Sequence, residues 1–217
     1  MKKEKSGSFF KNISQDEIDA LQEIGNIGSG HSANALADLL NRRIDMSLPR
    51  FKLLKTSELS QVDWRGMGPK TIFGVVISET TGDLELNVIV VFDEETIKGL
   101  INLIRQPDGD LSLEDLSNYD KSILTEVGNI LSLHYVTAIN TFLRTKAFPQ
   151  SPILAIEPSE TILSSIAAHF GAESDFTHLL LVECDIFTSD TKLQPVVILA
   201  PEEKSVEKSL KLMFGDI

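Results

Sequence analysis

Glu23-Ile-Gly-Asn26-Ile and Glu126-Val-Gly-Asn129-Ile are one stretch written twice, 103 residues apart. Extended outward, the first copy reads D-x-x-x-E-x-x-N from Asp19 and the second S-x-x-x-E-x-x-N from Ser122. After each asparagine come 22 residues and then a proline, Pro49 in one copy and Pro152 in the other. His31 and His134 keep the register, as do Ala35 with Ala138 and Leu40 with Leu143. One acid and one amide kept together twice at one offset predict two copies of one site on a duplicated scaffold. A repeat of this length decides how every other segment is read.

The spacing around the first copy predicts a long helix over 14–41, capped by Ser14 with Glu17 as the capping-box partner. At about 100° per residue, Ile18, Leu21, Ile24, Ile27, Ala35, Leu36 and Leu39 share one broad face. Asp19, Glu23, Asn26 and Gly30 fall in a narrow stripe roughly opposite it, which is therefore surface. The second copy gives the same wheel. Ile123, Leu124, Val127, Ile130, Leu131, Ala138 and Phe142 form its apolar side, and Ser122, Glu126 and Asn129 its polar stripe, in a helix from near Ser117 to before Pro149.

Between the helices, 44–55 reads as a strand interrupted by Pro49, and 71–80 and 84–92 as a hairpin about the turn at Gly82. A helix over 93–104 follows, closed by the linker Gln106-Pro-Asp-Gly-Asp110. The second half repeats the order, with strands at 152–157, 177–187 and 193–200 and a helix over 201–214. An extra amphipathic helix over 158–171 accounts for a small insertion, while its counterpart 57–69 looks irregular. Strand pairs with flanking helices predict an α+β fold. One continuous β-sheet with a pseudo-twofold axis and two long exposed site-bearing helices is its economical form. The expected organisation is a flexible leader over 1–13 and a single domain over 14–217, built from repeats at about 14–106 and 111–217.

Composition narrows the function. Of 217 residues, 32 are acidic and 20 basic, a formal charge of −12 that argues against a phosphate-backbone partner and sets nucleic acid aside. Cys184 is the only cysteine, in the apolar run Leu179-Leu-Leu-Val-Glu-Cys184, and reads as a reduced core residue. The first twelve residues hold four lysines and no apolar segment of signal-peptide type, and no run approaches the length needed to cross a bilayer. The expected location is cytoplasmic.

A carboxylate accepts a cation, and a carboxamide one turn away can hold a water. Neither stripe holds a nucleophilic Ser, Cys or His, and no metal-ligand spacing appears in the chain. His31 and His134 sit beside the core and read as structural. The run Gly25-Asn-Ile-Gly28-Ser-Gly30 mimics a phosphate loop but follows a helical pattern rather than a strand. A mid-helix glycine costs about 1 kcal/mol relative to alanine, so Gly25 and Gly128 call for close packing.

The doubled pattern (D/S)-x3-E-x2-N-x22-P resembles that of the CheC family of chemotaxis phosphatases, over essentially 14–214. The resemblance implies hydrolysis of the aspartyl phosphate of the response regulator CheY. In it, Glu23 and Glu126 would pair with the regulator's lysine, and Asn26 and Asn129 would orient the attacking water. Asp19, Ser122, Pro49 and Pro152 would support the motif. It further implies binding of the deamidase CheD, with the helix near 159–170 as the candidate contact. The expected chain is a monomer that binds no cofactor, magnesium being held by CheY. The alternative is a non-catalytic adaptor or flagellar-switch module that holds phosphorylated CheY. The two stripes differ, with Gly30 against Leu133 and Asp19 against Ser122, so the docking surfaces are expected to be unequal.

Overall fold

In the computed structural model, which describes residues 15–61, 71–105, 111–172, 178–189, 191–202 and 204–205, the chain opens with α1 (Gln15–Leu40). It continues into β1 (Asp45–Met46), β2 (Arg50–Lys55), a 3-10 segment at Thr56–Gln61, β3 (Ile72–Gly82), β4 (Leu86–Asp93) and α2 (Glu94–Arg105). Then come α3 (Asn118–Leu143), β5 (Ala147–Pro149), β6 (Ile153–Pro158) and α4 (Ser159–Ala172). Four strands close the described chain: β7 (His178–Glu183), β8 (Ile186–Phe187), β9 (Lys192–Leu193) and β10 (Val196–Pro201).

Seven strands form one antiparallel sheet in the order β2-β7-β10-β4-β3, with β5 and β6 both pairing along the outer side of β3. Its middle is the β4–β10 pair, where Val90 stands opposite Val197. Phe51 of β2 faces Val182 of β7, and Leu154 of β6, 103 residues after Phe51, faces Val76 of β3. The order thus reads alike from either end. β1, β8 and β9 make a second, three-stranded sheet.

Both faces of the large sheet are covered, which is why β4 and β10 are almost continuously apolar. Val76, Val88, Val90, Phe92, Val182, Val197 and Leu199 pack into the core that holds α1, α2 and α3. Phe73, Val75, Ile89, Val91, Leu181, Val196 and Ile198 pack with Ile162, Leu163 and Ile166 of α4 on the other side. The architecture is α+β, as the order of segments predicts.

Two expected strands break. Residues up to 187 divide into β7 and β8, and 193–200 into β9 and β10, because Asp185 leaves the ladder to meet neighbours. Ser47 N–H donates to the Asp185 carbonyl at 2.8 Å, Asp185 N–H donates to Ser47 Oγ at 2.9 Å, and Gln194 Nε2 donates to Asp185 Oδ1 at 2.7 Å. Pro201 ends β10, and the expected helix is described beyond Glu202 only at residues 204–205, which are helical. Residues 206–214 of that expected helix, the Ser14 cap, the leader and the 106–110 linker lie outside the described residues. Cys184 is buried and unbridged, as expected.

The two glycines earn their places by close approach. A β-carbon on Gly25 would overlap the ring of Phe51, and one on Gly128 would stand 2.5 Å from Val76 Cβ. α1 is thereby drawn down onto β2 of its own half, and α3 onto β3 of the first half.

Candidate functional site

α1 and α3 pack directly against each other on the sheet. Small residues carry this contact: Gly28 lies under the ring of Tyr135, and Ser29 Oγ meets the Tyr135 hydroxyl at 2.9 Å. Burial, followed by the charge of nearby Cys184, pushes the Tyr135 phenol well above its ordinary pKa. Its hydroxyl therefore stays neutral. The buried face of α1 is centred on Ile24, Gly25, Gly28, Ser29, Ser32, Leu36 and Leu40. Leu39, expected within, is partly exposed. The hydropathy wheel points to the wrong centre because glycine and serine, which allow the helices to approach, carry no apolar signal.

α3 is held at its start as well as along its length. Ser117 caps it in a reciprocal capping box with Asp120, and the Asp120 carboxylate takes Arg105 Nε at 2.6 Å and Nη2 at 3.1 Å. Asp120 is fully buried. Burial alone would raise its pKa, but the Ser117 bonds and then Arg105 outweigh that and hold it below the usual carboxylate value.

Glu23 and Asn26 are exposed on α1; Glu126 is exposed and Asn129 half-buried on α3. Among the described residues, none of these four side chains is engaged in a hydrogen bond or ion pair. Asp19 and Ser122 are exposed one turn upstream, the Ser122 hydroxyl donating back to the Asn118 carbonyl at 2.9 Å. Pro49 and Pro152 stand apart from the stripes, each immediately before the strand, β2 or β6, on its half's edge. The structure therefore brings acid and amide together in each half and leaves the prolines to strand entry.

His31 and His134 meet each other, ring centres 6.0 Å apart and inclined at 73°. Sequence spacing places both beside the core but does not reveal their contact. Burial, then the charge of His31, lowers the His134 pKa. The pair also fixes the direction of the stripes. His31 lies about 80° round α1 from Glu23, on the side facing α3, whereas Asp19 and Asn26 lie about 40–60° the other way. The acid–amide stripes therefore diverge, each on the flank turned from the other helix.

One residue of the second stripe escapes motif reading. Tyr119 is 59% exposed and stands seven residues before Glu126, as Leu133, 45% exposed, stands seven after it. Positions 119, 122, 126, 129 and 133 thus form a single 3-4-3-4 row. The equivalent row on α1, where its side chains are described, is Asp19, Glu23, Asn26 and Gly30.

This geometry meets its relatives at the motif itself. The model of the CheC-like family matches residues 17–53, which contain the first acid–amide pair. Over 206 residues, 93% of this chain and 95% of the relative, the sequence is 32% identical to the CheY-P phosphatase CheC of Bacillus subtilis. The chain belongs to the CheC-like family.

A second relative, the flagellar motor switch phosphatase FliY of Bacillus subtilis, is 28% identical over 62% of this chain and 34% of its own length. Among solved structures, Thermotoga maritima FliY superposes with a TM-score of 0.70 at 20% identity, covering 92% of this chain and 98% of that one. The FliM middle domain of Vibrio alginolyticus gives 0.61 at 9% identity, covering 88% and 99%. These two likenesses establish the CheC-like fold. Among the described residues no helix is long and apolar enough to cross a membrane, and no three His, Cys, Asp or Glu side chains gather as metal ligands.

Proposed function

We propose that this protein hydrolyses the aspartyl phosphate of a CheY-type response regulator, at two sites made by Glu23 with Asn26 and Glu126 with Asn129. The observation that carries the reading is the pair of unengaged acid and amide side chains on each of two helices, all exposed but the half-buried Asn129, in a family member 32% identical to a named CheY-P phosphatase. The two halves are read as copies of one ancestral unit, and the like-from-both-ends strand order supports that.

An aspartyl phosphate is already an activated acyl phosphate, so the protein need supply no nucleophile. Positioning and charge stabilisation suffice for phosphoryl transfer. Each glutamate takes the regulator's active-site lysine and fixes its orientation. Each asparagine then reaches toward the phosphorus, where the carboxamide oxygen accepts a hydrogen from water and aims its lone pair in line with the bond to be broken. Water oxygen bonds to phosphorus, the aspartate oxygen leaves as carboxylate, and inorganic phosphate departs. Magnesium belongs to the regulator in this scheme. A hundredfold acceleration asks for only ~2.7 kcal/mol.

CheD binding falls to α4, whose exposed side carries Glu160, Thr161, Ser164 and Ser165, and the protein acts as a monomer in the cytoplasm. The rival reading, an adaptor that binds phosphorylated CheY without hydrolysing it, has no use for a water-orienting amide.

Glutamate and asparagine should fail differently. Glu23→Ala with Glu126→Ala raises KM, while Asn26→Ala with Asn129→Ala leaves affinity largely intact and removes turnover. Steady-state phosphate release from Bacillus subtilis CheY charged with acetyl phosphate measures both. Near-normal turnover of the double asparagine variant at saturating CheY would end this assignment.

A further inference from the structure

The two stripes share their acid and amide and differ at every other position. On α3 the row is Tyr119-Ser122-Glu126-Asn129-Leu133; on α1 its described side chains are Asp19-Glu23-Asn26-Gly30. The α3 row therefore has one negative charge between two exposed apolar side chains. The α1 row has two adjacent negative charges and ends at a glycine around which a β-carbon would find nothing within 4 Å. The Ser122 hydroxyl is turned back to its own helix, which leaves Tyr119 and Leu133 as the two outward contacts flanking the α3 pair.

Large apolar side chains on an exposed helix face mark an interaction surface more often than a fold requirement. Tyr119 is more than half in solvent and Leu133 nearly half. A partner that seats its lysine on Glu126 must cover both, since they lie within about 11 Å along the helix on either side of it. Aromatic and aliphatic anchors beside a desolvated ion pair are the arrangement that concentrates affinity.

Building on the phosphatase reading, we propose that Tyr119 and Leu133 are docking anchors that make α3 the high-affinity, salt-tolerant site, fitted to a receiver domain with apolar residues around its lysine. The α1 site holds the same receiver through charge alone. Its association depends on the lysine and neighbouring basic groups facing Asp19 and Glu23, and weakens as salt screens them. One protein thereby carries a tight and a loose site for the same chemistry.

Two proteins isolate the sites: Glu23→Ala with Asn26→Ala, in which α1 has lost both its lysine partner and its amide, and Glu126→Ala with Asn129→Ala, in which α3 has. The probes are Bacillus subtilis CheY charged with acetyl phosphate for kinetics and the same CheY with beryllofluoride and magnesium for affinity. In the first protein, Tyr119→Ala with Leu133→Ala should raise KM and Kd about tenfold or more, with kcat within a factor of two. Tyr119→Phe should keep the starting affinity. In the second protein, KM should climb more steeply with salt than it does for the α3 site.

An unchanged Kd for the double anchor variant, or α1 binding that equals α3 binding at high salt, overturns the proposal. Absence of hydrolysis in the unmodified protein would instead strike the phosphatase reading, and the beryllofluoride Kd would still decide the anchors. Both anchor side chains are exposed, so unchanged thermal melting separates lost docking from lost folding.

Discussion

α1 and α3 are both 26 residues long and carry the same Glu-x-x-Asn spacing, and they are not held alike. α3 is clamped at its start by the Ser117 capping box and by Arg105, partly exposed, on the buried Asp120 carboxylate, and seated by Gly128 against the β-carbon of Val76. α1 is seated by Gly25 against the far end of the Phe51 ring, a partly buried side chain that can swing. The difference shows that one motif can be presented on two supports of unequal rigidity while the acid–amide spacing stays the same. Spacing is set by the helix itself; rigidity is set by what lies beneath it.

The largest expected effect tests whether the two supports carry two sites. Asn26→Ala and Asn129→Ala together should lower phosphate release at least about a hundredfold, or ~2.7 kcal/mol of barrier. Each single change should leave a different, nonzero residue of activity. Loss of all activity from one single change in a folded protein would mean a composite centre, and the comparison would collapse to one site.

Next in size is the clamp on α3. Arg105→Ala strands a buried carboxylate that keeps only its Ser117 bonds, and should cost about 3 kcal/mol in denaturant unfolding. The sign of its pH dependence is fixed. The Asp120 pKa is held below the ordinary carboxylate value, so the stabilisation is present above about pH 4 and is lost as pH falls through the lower folded value. In the variant this acid-labile part should shrink. A variant as stable as the parent would show that α3 is not anchored there.

The glycines sharpen the contrast further. Gly128→Ala drives a methyl into Val76 on the strand beneath and should destabilise by about 2 kcal/mol. Gly25→Ala displaces only a ring tip and gains about 1 kcal/mol of helix propensity, so its net cost should be smaller. Equal melting shifts would erase the asserted difference in rigidity.

Smallest is the seam between the helices. The His134 pKa lies below the ordinary 6.5 through burial and then His31. The unfolded chain therefore binds a proton more readily, and stability falls as pH drops below that value. His31→Ala should reduce that loss, read as a smaller change in unfolding midpoint between pH 7 and pH 5.5. An unaltered profile would remove electrostatic coupling between the rings.

Much of this was legible in the sequence for a physical reason. Side-chain period exposes helices, β-branched runs expose strands, and the 103-residue spacing sets the two Glu–Asn pairs on two helices of equal length. The Glu–Asn pairs needed only helical geometry to be drawn to one face. What stayed hidden depends on contacts between distant segments. The Asp185 bonds that split two strands join Ser47 to Gln194, which no local window contains. The seam of Gly28, Ser29 and Tyr135 is built from residues whose fit, not hydropathy, matters. Tyr119 sat outside the motif, yet the heptad running back from Glu126 reaches it.

The most direct test of the two-site phosphatase is the decay of phosphorylated CheY in magnesium with this protein at one-hundredth of the CheY concentration. The account predicts that decay runs faster than the spontaneous rate to completion, with many phosphates released per protein. Release that stops at two equivalents per protein, or decay at the spontaneous rate, would contradict it.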